Sequence, residues 1–216
     1  MLIKKSKSTP DFSLEEKWRD ITGGMVAGID EAGRGPWAGP VAAAAVILDP
    51  DNIPDGLNDS KKLSENKRED LFEKIIKTSM VGVALAQPCQ IDSLNILGAT
   101  LWSMQMAVSH LAQVPDAALI DGNQRPDLTC PMETIIKGDA KCLSIAAASI
   151  IAKVTRDRIM RDLDTNFPEY GWARNKGYGT HEHAHALAKF GVTPHHRKSF
   201  APIRRAIEAN VGSKTS

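Results

Sequence analysis

Two apolar runs, Met25 to Ile29 and Val41 to Leu48, flank the segment Gly33-Arg34-Gly35-Pro36. Runs this short, closed by glycine and proline, read as strands, and the turn between them predicts an antiparallel pair. Ser64 is the expected N-cap of a helix whose apolar face is Leu71, Phe72, Ile75 and Ile76. A third strand is expected over Val81 to Ala86. Leu97, Leu101, Met104, Val108 and Leu111 then recur at the spacing of a long amphipathic helix. Ala117 to Ile120 and Glu133 to Ile136 read as two further short strands. From Ala140 to about Asp164 the pattern is helical, with Leu143, Ala147, Ile150, Ile151 and Val154 inward and Lys153, Arg156 and Arg161 outward; Ala146-Ala147-Ala148 lets it lie close to a sheet. Helices are also expected over about His181 to Phe190 and Ile203 to Asn210. Strands alternating with long helices after an initial hairpin predict an α/β fold, a mixed sheet flanked by helices.

At 216 residues the chain suits one core. Residues 1–23 are read as an N-terminal extension with a short helical pattern at Phe12, Leu14 and Trp18, residues 24–211 as the domain, and 212–216 as a flexible tail. With 27 Lys and Arg against 26 Asp and Glu the net charge is +1, which excludes a histone-like protein and a disordered polyanion. No window approaches the roughly 20 apolar residues that span a bilayer. Met1 to Pro10 carries charge with no apolar stretch after it, and Cys89, Cys130 and Cys142 are odd in number with no Cys-x-x-Cys pair. A soluble cytoplasmic protein with inert thiols is expected.

Asp30, Glu31, Asp121 and Asp139 each follow an apolar strand-like run and lie at or beside glycine. A single acid at a strand end is ordinarily a solvated turn residue. Four at neighbouring strand ends would repel one another, raising a pKa, unless cations neutralised them. Oxygen ligands without histidine or thiolate select Mg²⁺ or Mn²⁺. Such a cluster suits two-metal phosphodiester hydrolysis, with Asp30 expected to bridge both ions, Glu31 and Asp121 to support one each, and Asp139 to complete the second or position water. For Asp30 and Glu31 both to serve, the strand must be ending and twisting there, since neighbours point to opposite faces.

Gly28-Ile29-Asp30-Glu31-Ala32-Gly33-Arg34-Gly35-Pro36, Asn58-Asp59-Ser60-Lys61-Lys62-Leu63, Asp121-Gly122, Lys137-Gly138-Asp139-Ala140-Lys141, the 147–157 segment and Gly177-Tyr178-Gly179-Thr180 together resemble bacterial ribonuclease HII, over roughly residues 24–205. The resemblance implies a ribonuclease H-like fold with a small C-terminal helical extension. It also implies cleavage of RNA in RNA–DNA hybrids and of duplex DNA 5′ to single embedded ribonucleotides. The family's four acids fall on Asp30, Glu31, Asp121 and Asp139. Its Gly-Arg-Gly element, which reads the ribose 2′-hydroxyl largely through its backbone, falls on Gly33, Arg34 and Gly35, and its sugar-stacking tyrosine on Tyr178. Lys61 and Lys62 are candidate phosphate contacts, and Asp157 is read as structural. No C-terminal clamp-docking motif is seen, and a monomer is expected.

His181-Glu182-His183-Ala184-His185 also matches the His-Glu-x-x-His zinc pattern, although it would occupy the first turns of a helix and Ala188 stands where the metzincin continuation needs glycine. A non-catalytic hybrid binder is a further alternative, with Arg34, Lys61, Lys62, Arg174, Lys176, Arg197, Lys198, Arg204 and Arg205 facing phosphate. A binder has no need of four acids that repel phosphate.

Overall fold

The expected hairpin is present in the computed structural model, which describes residues 9–212. Strand β1 (Val26–Ala32) pairs antiparallel with β2 (Val41–Leu48), from Ala27 opposite Ile47 to Ala32 opposite Ala42. Strand β3 (Ser79–Ala86) adds antiparallel to β2. On the other side β4 (Ala117–Asp121) runs parallel to β1, and β5 (Met132–Ile135) parallel to β4. The order β3-β2-β1-β4-β5 puts β1, with Asp30 and Glu31, at the centre of a mixed sheet.

Seven helices accompany it among the described residues: α1 (Ser13–Thr22), α2 (Glu65–Thr78), α3 (Pro88–Ser109), α4 (Leu143–Asn166), α5 (Trp172–Asn175), α6 (His181–Phe190) and α7 (Ala201–Gly212). Every residue of β2 is buried, because both faces of the sheet are covered and alternate side chains serve opposite layers. Ala44, Val46 and Leu48 meet Leu71 and Ile75 of α2 and the 146–154 face of α4. Ala43, Ala45 and Ile47 meet Met104 and Ala107 of α3, and Leu111. Helix α4 lies so close to β1 that a Cβ on Gly28 would stand 2.2 Å from the Ser144 carbonyl carbon, so this position admits only glycine without displacing the helix.

Helix α1 lies in the segment the sequence sets apart as an extension, and it packs onto the domain. Leu14 and Trp18 join Val26, Leu119, Ile135 and Ile145. Glu15 accepts hydrogen bonds from the Ser144 N–H and hydroxyl, both at 2.7 Å, satisfying the first turn of α4 where Cys142 offers no side-chain cap. Ser64 caps α2 by accepting from the Lys67 N–H. The expected tail at 212–216 lies, apart from Gly212, outside the described residues. No described helix is long and apolar enough to cross a membrane.

Three expectations need correction. The 97–111 stripe is helical only as far as Ser109, and the helix that carries it is the second segment of α3: a first segment from Pro88 breaks at Asn95 (φ 57°, ψ 171°), whose carboxamide accepts from the Leu97 and Gly98 N–H groups and starts the second. Leu111 lies beyond its end. Helix α4 starts at Leu143 rather than Ala140, because a 3₁₀ turn over 138–140 follows a left-handed Lys137. Arg156, expected outward, is buried, because the loop joining β1 to β2 folds over that part of α4.

Candidate active site

Parallel pairing of Ile29 with Ile120 brings Asp30 and Asp121, the next residues of β1 and β4, to one end of the sheet. Asp139 follows on the turn after β5, which is held there by the Gly138 N–H donating to the Asp121 carboxylate at 2.7 Å. Asp30 is buried and accepts from the Glu31 N–H at 2.7 Å. Burial, then the charges of Glu31 and Asp121, hold its carboxyl well above the usual range. Burial also raises Glu31, against the Arg34 guanidinium 3.5 Å away. Asp139 is pushed up to about 6 by burial, with Asp121 and Asp59 adding to the shift. Desolvation works to lower the Lys61 ammonium, but Asp30, Asp139, Asp59 and Asp121 outweigh it and raise it. The four acids thus share one field.

Asp30, Glu31, the 32–35 loop, Ser60, Lys61, Ser149, Lys153, Arg156 and Tyr178 line a cavity of about 320 Å³. Lys62 stands apart, 3.9 Å from Asp59. Tyr178, 48% exposed, overhangs Gly35, where an added Cβ would touch its ring at 3.4 Å. Its loop is fixed by the Trp37 N–H donating to the Gly177 carbonyl at 2.8 Å and by close contact of Gly179 with Trp37. Beneath it, the Thr193 N–H donates to His196 Nδ1 at 3.0 Å, the two Nε2 atoms of His196 and His183 lie 3.1 Å apart, and His183 Nδ1 meets the Tyr178 carbonyl at 3.0 Å. A backbone N–H can only donate, so His196 carries its proton on Nε2 and His183 on Nδ1. Both rings are neutral links in one chain ending at Tyr178.

Sequence reasoning missed Asp59, Ser60, Ser149, Lys153 and Arg156. All five lie inside segments that carry the family resemblance: Asp59 and Ser60 in 58–63, and Ser149, Lys153 and Arg156 in 147–157, on one face of α4. Asp157, expected to be structural, pairs with Lys153 at 2.6 Å. In the His-Glu-x-x-His run, Thr180 caps α6 so that its helix begins at His181. His181 and His185 are exposed, and Glu182 pairs with Arg174. Nothing there frames a zinc cleft.

Among the described residues no three His, Cys, Asp or Glu side chains already close around a common ion position. Asp30, Glu31, Asp121 and Asp139 do form an all-oxygen set, in which burial and neighbouring carboxylates raise Asp30, Glu31 and Asp139, an arrangement a hard divalent cation relieves. The donor chemistry fits such an ion.

The sequence profile of the family described as Ribonuclease HII matches residues 27–203. The chain belongs to the ribonuclease HII family. Ribonuclease HII proteins are metal-dependent endonucleases that cleave the RNA of RNA–DNA hybrids. The chain is 60% identical over 210 residues to the ribonuclease HII of Magnetococcus marinus, covering 94% of this chain and 98% of that one. The crystal structure of the ribonuclease H2 from Pyrococcus horikoshii OT3 superposes with a TM-score of 0.72 at 29% identity, covering 86% and 98%. The crystal structure of Bst-RNase HIII in complex with Mn²⁺ shares the fold at a TM-score of 0.65 and 20% identity, covering 86% and 70%. The expected mixed sheet with flanking helices and a C-terminal helix is present here, and these two solved structures share its fold.

Proposed function

We propose that this ribonuclease HII hydrolyses the RNA strand of hybrids and also cuts duplex DNA on the 5′ side of an embedded ribonucleotide, leaving 5′-phosphate and 3′-hydroxyl ends. The observation that carries this reading is the gathering of Asp30, Glu31, Asp121 and Asp139 at one end of the sheet, where Asp30 and Glu31 line a cavity whose other wall is the 33–35 loop and Tyr178. Asp30, Glu31, Asp121 and Asp139 would hold Mg²⁺ or Mn²⁺. When bound, two such ions activate the attacking water and stabilise the leaving oxygen.

The chain's own groups do the rest. Arg34 and Lys61 offset the negative charge of the acids at the side where a phosphate approaches. Gly33 and Gly35 let the backbone come close to a sugar, and the N–H groups of Gly33, Arg34 and Gly35 find no acceptor among the described residues, leaving them for the 2′-hydroxyl that marks RNA. The half-exposed Tyr178 ring would stack on the sugar 3′ to the junction. Free cysteines accord with action in the cytoplasm.

The test is cleavage, with Mg²⁺ and with Mn²⁺, of a duplex carrying one ribonucleotide beside an all-DNA control. Cutting of the first alone, with a 3′-hydroxyl, is expected. A 3′-phosphate or 2′,3′-cyclic phosphate would overturn the mechanism, because the 2′-hydroxyl would then be the nucleophile.

A further inference from the structure

The segment between β1 and β2 forms no ladder beyond one bridge of Ala38 with His196, so its shape must be set by other groups. Two buried guanidiniums supply them. Arg197 Nε donates to the Gly39 carbonyl at 2.9 Å, Nη1 to Arg34 at 2.9 Å, and Nη2 to Gly33 at 2.5 Å and Pro40 at 3.1 Å. Arg156, from α4, donates through Nε to Pro40 at 2.9 Å and through Nη2 to Ala38 at 3.2 Å. Arg156 also occupies the space where a Cβ on Gly33 would fall, 2.0 Å from its Nε, while Gly33 holds φ +95°.

Neither guanidinium is in an ion pair among the described residues. The nearest acids are committed elsewhere, Asp157 to Lys153 and Asp92 to the Lys198 and Ser199 N–H groups. Burial pushes the arginines down to about 10 and about 9, so both stay charged at neutral pH. Two buried charges without a carboxylate are a poor device for stability, and apolar side chains of similar volume would serve that purpose better. Their geometry serves something else. With the carbonyls of Gly33, Arg34, Ala38, Gly39 and Pro40 drawn toward the interior, the amides of 33–35 are left without a protein partner.

We propose that Arg197 and Arg156 are positioning residues for ribonucleotide recognition, fixing the 33–40 loop so that its free N–H groups present one rigid donor set to the ribose. The inference rests on reading that loop as the reader of the 2′-hydroxyl. A planar fork can hold several carbonyls at once; an ammonium cannot hold the same set.

The experiment measures binding in Ca²⁺ of a duplex with one ribonucleotide and of its all-DNA counterpart, for wild type, Arg197→Lys and Arg156→Lys, with a melting curve for each. The lysine variants keep the charge and lose the fork. The expected result is a ribonucleotide preference reduced about ten- to a hundredfold in Arg197→Lys, less in Arg156→Lys, with all-DNA affinity unchanged. Global loosening alone would lower the melting temperature without moving that ratio in the folded protein. An unchanged ratio in either variant that folds overturns the positioning role. A wild type that binds both duplexes alike overturns the reading of the loop itself, and is thereby distinguished from failure of the arginines alone.

Discussion

At the scale of single residues, Asp30 is the pivot of the cluster. It is buried, repelled by Glu31 and Asp121, and held by one N–H from Glu31. Asp30→Asn keeps the volume and removes the repelled charge, so its melting temperature is expected to equal or exceed that of the wild type while cleavage falls at least about a hundredfold, as the proposed role of metal ligand requires. Turnover measured beside a melting curve checks both halves. Tyr178 makes a different demand. A stacked ring contributes about 1 to 3 kcal/mol on bases and less on sugars, so Tyr178→Ala should lose near the lower end of that range. The loss in kcat/KM should be larger on a single embedded ribonucleotide than on continuous RNA, because only the former places a deoxyribose beyond the junction. A ratio of the two losses near one would remove the junction-reading role.

Among the elements, α1 and α4 show a long-range cap. Glu15 serves the Ser144 N–H and hydroxyl from 129 positions away, and its other oxygen is buried without a partner. Glu15→Ala is expected to lower stability by about 1 to 3 kcal/mol, read as a shifted urea midpoint, with kcat/KM of the folded enzyme unchanged. Which elements were legible in the sequence follows from the same contrast between local and distant partners. The β1 to β2 hairpin, the Ser64 cap and the four acids at strand ends depend on neighbours in sequence, and the pattern there carries the information. Arg156 was misplaced because helical periodicity assigns an outer face without knowing that a loop 116 positions away folds over it. The break in α3 escaped notice because Asn95 looks like any polar residue between apolar ones until its side chain is seen to cap Leu97. The role of α1 escaped notice because Glu15 reads as a solvated charge.

For the whole molecule, the neutral chain of His196 and His183 makes stability depend on pH. Burial, and for His196 the neighbouring His183, lower both rings, His196 to about 3. A histidine depressed in the folded state stabilises fully above its unfolded value near 6.5. Below that, the unfolded chain takes up a proton that the folded one refuses. Stability should therefore fall as pH drops from about 6.5 toward 3, by roughly 2 kcal/mol between pH 7 and pH 5 from His196 alone. His196→Asn should be less stable at pH 7 and show a flatter urea midpoint across that interval. An equally steep slope in the variant would assign the acid sensitivity to other groups.

The bond from Arg197 to Gly33 joins residues 164 positions apart, and this has a consequence for how the enzyme is born. Contacts so distant in sequence close late, after the local hairpin and helices have formed. A nascent chain emerging from the ribosome contains all four acids once Asp139 is out, yet Tyr178 and Arg197 are still to be synthesised. Such an intermediate lacks α4, which covers the sheet and lines the cavity, as well as the fork that fixes the 33–40 loop. On the proposed reading, the fixed donor set is then the last part of the site that the growing chain completes.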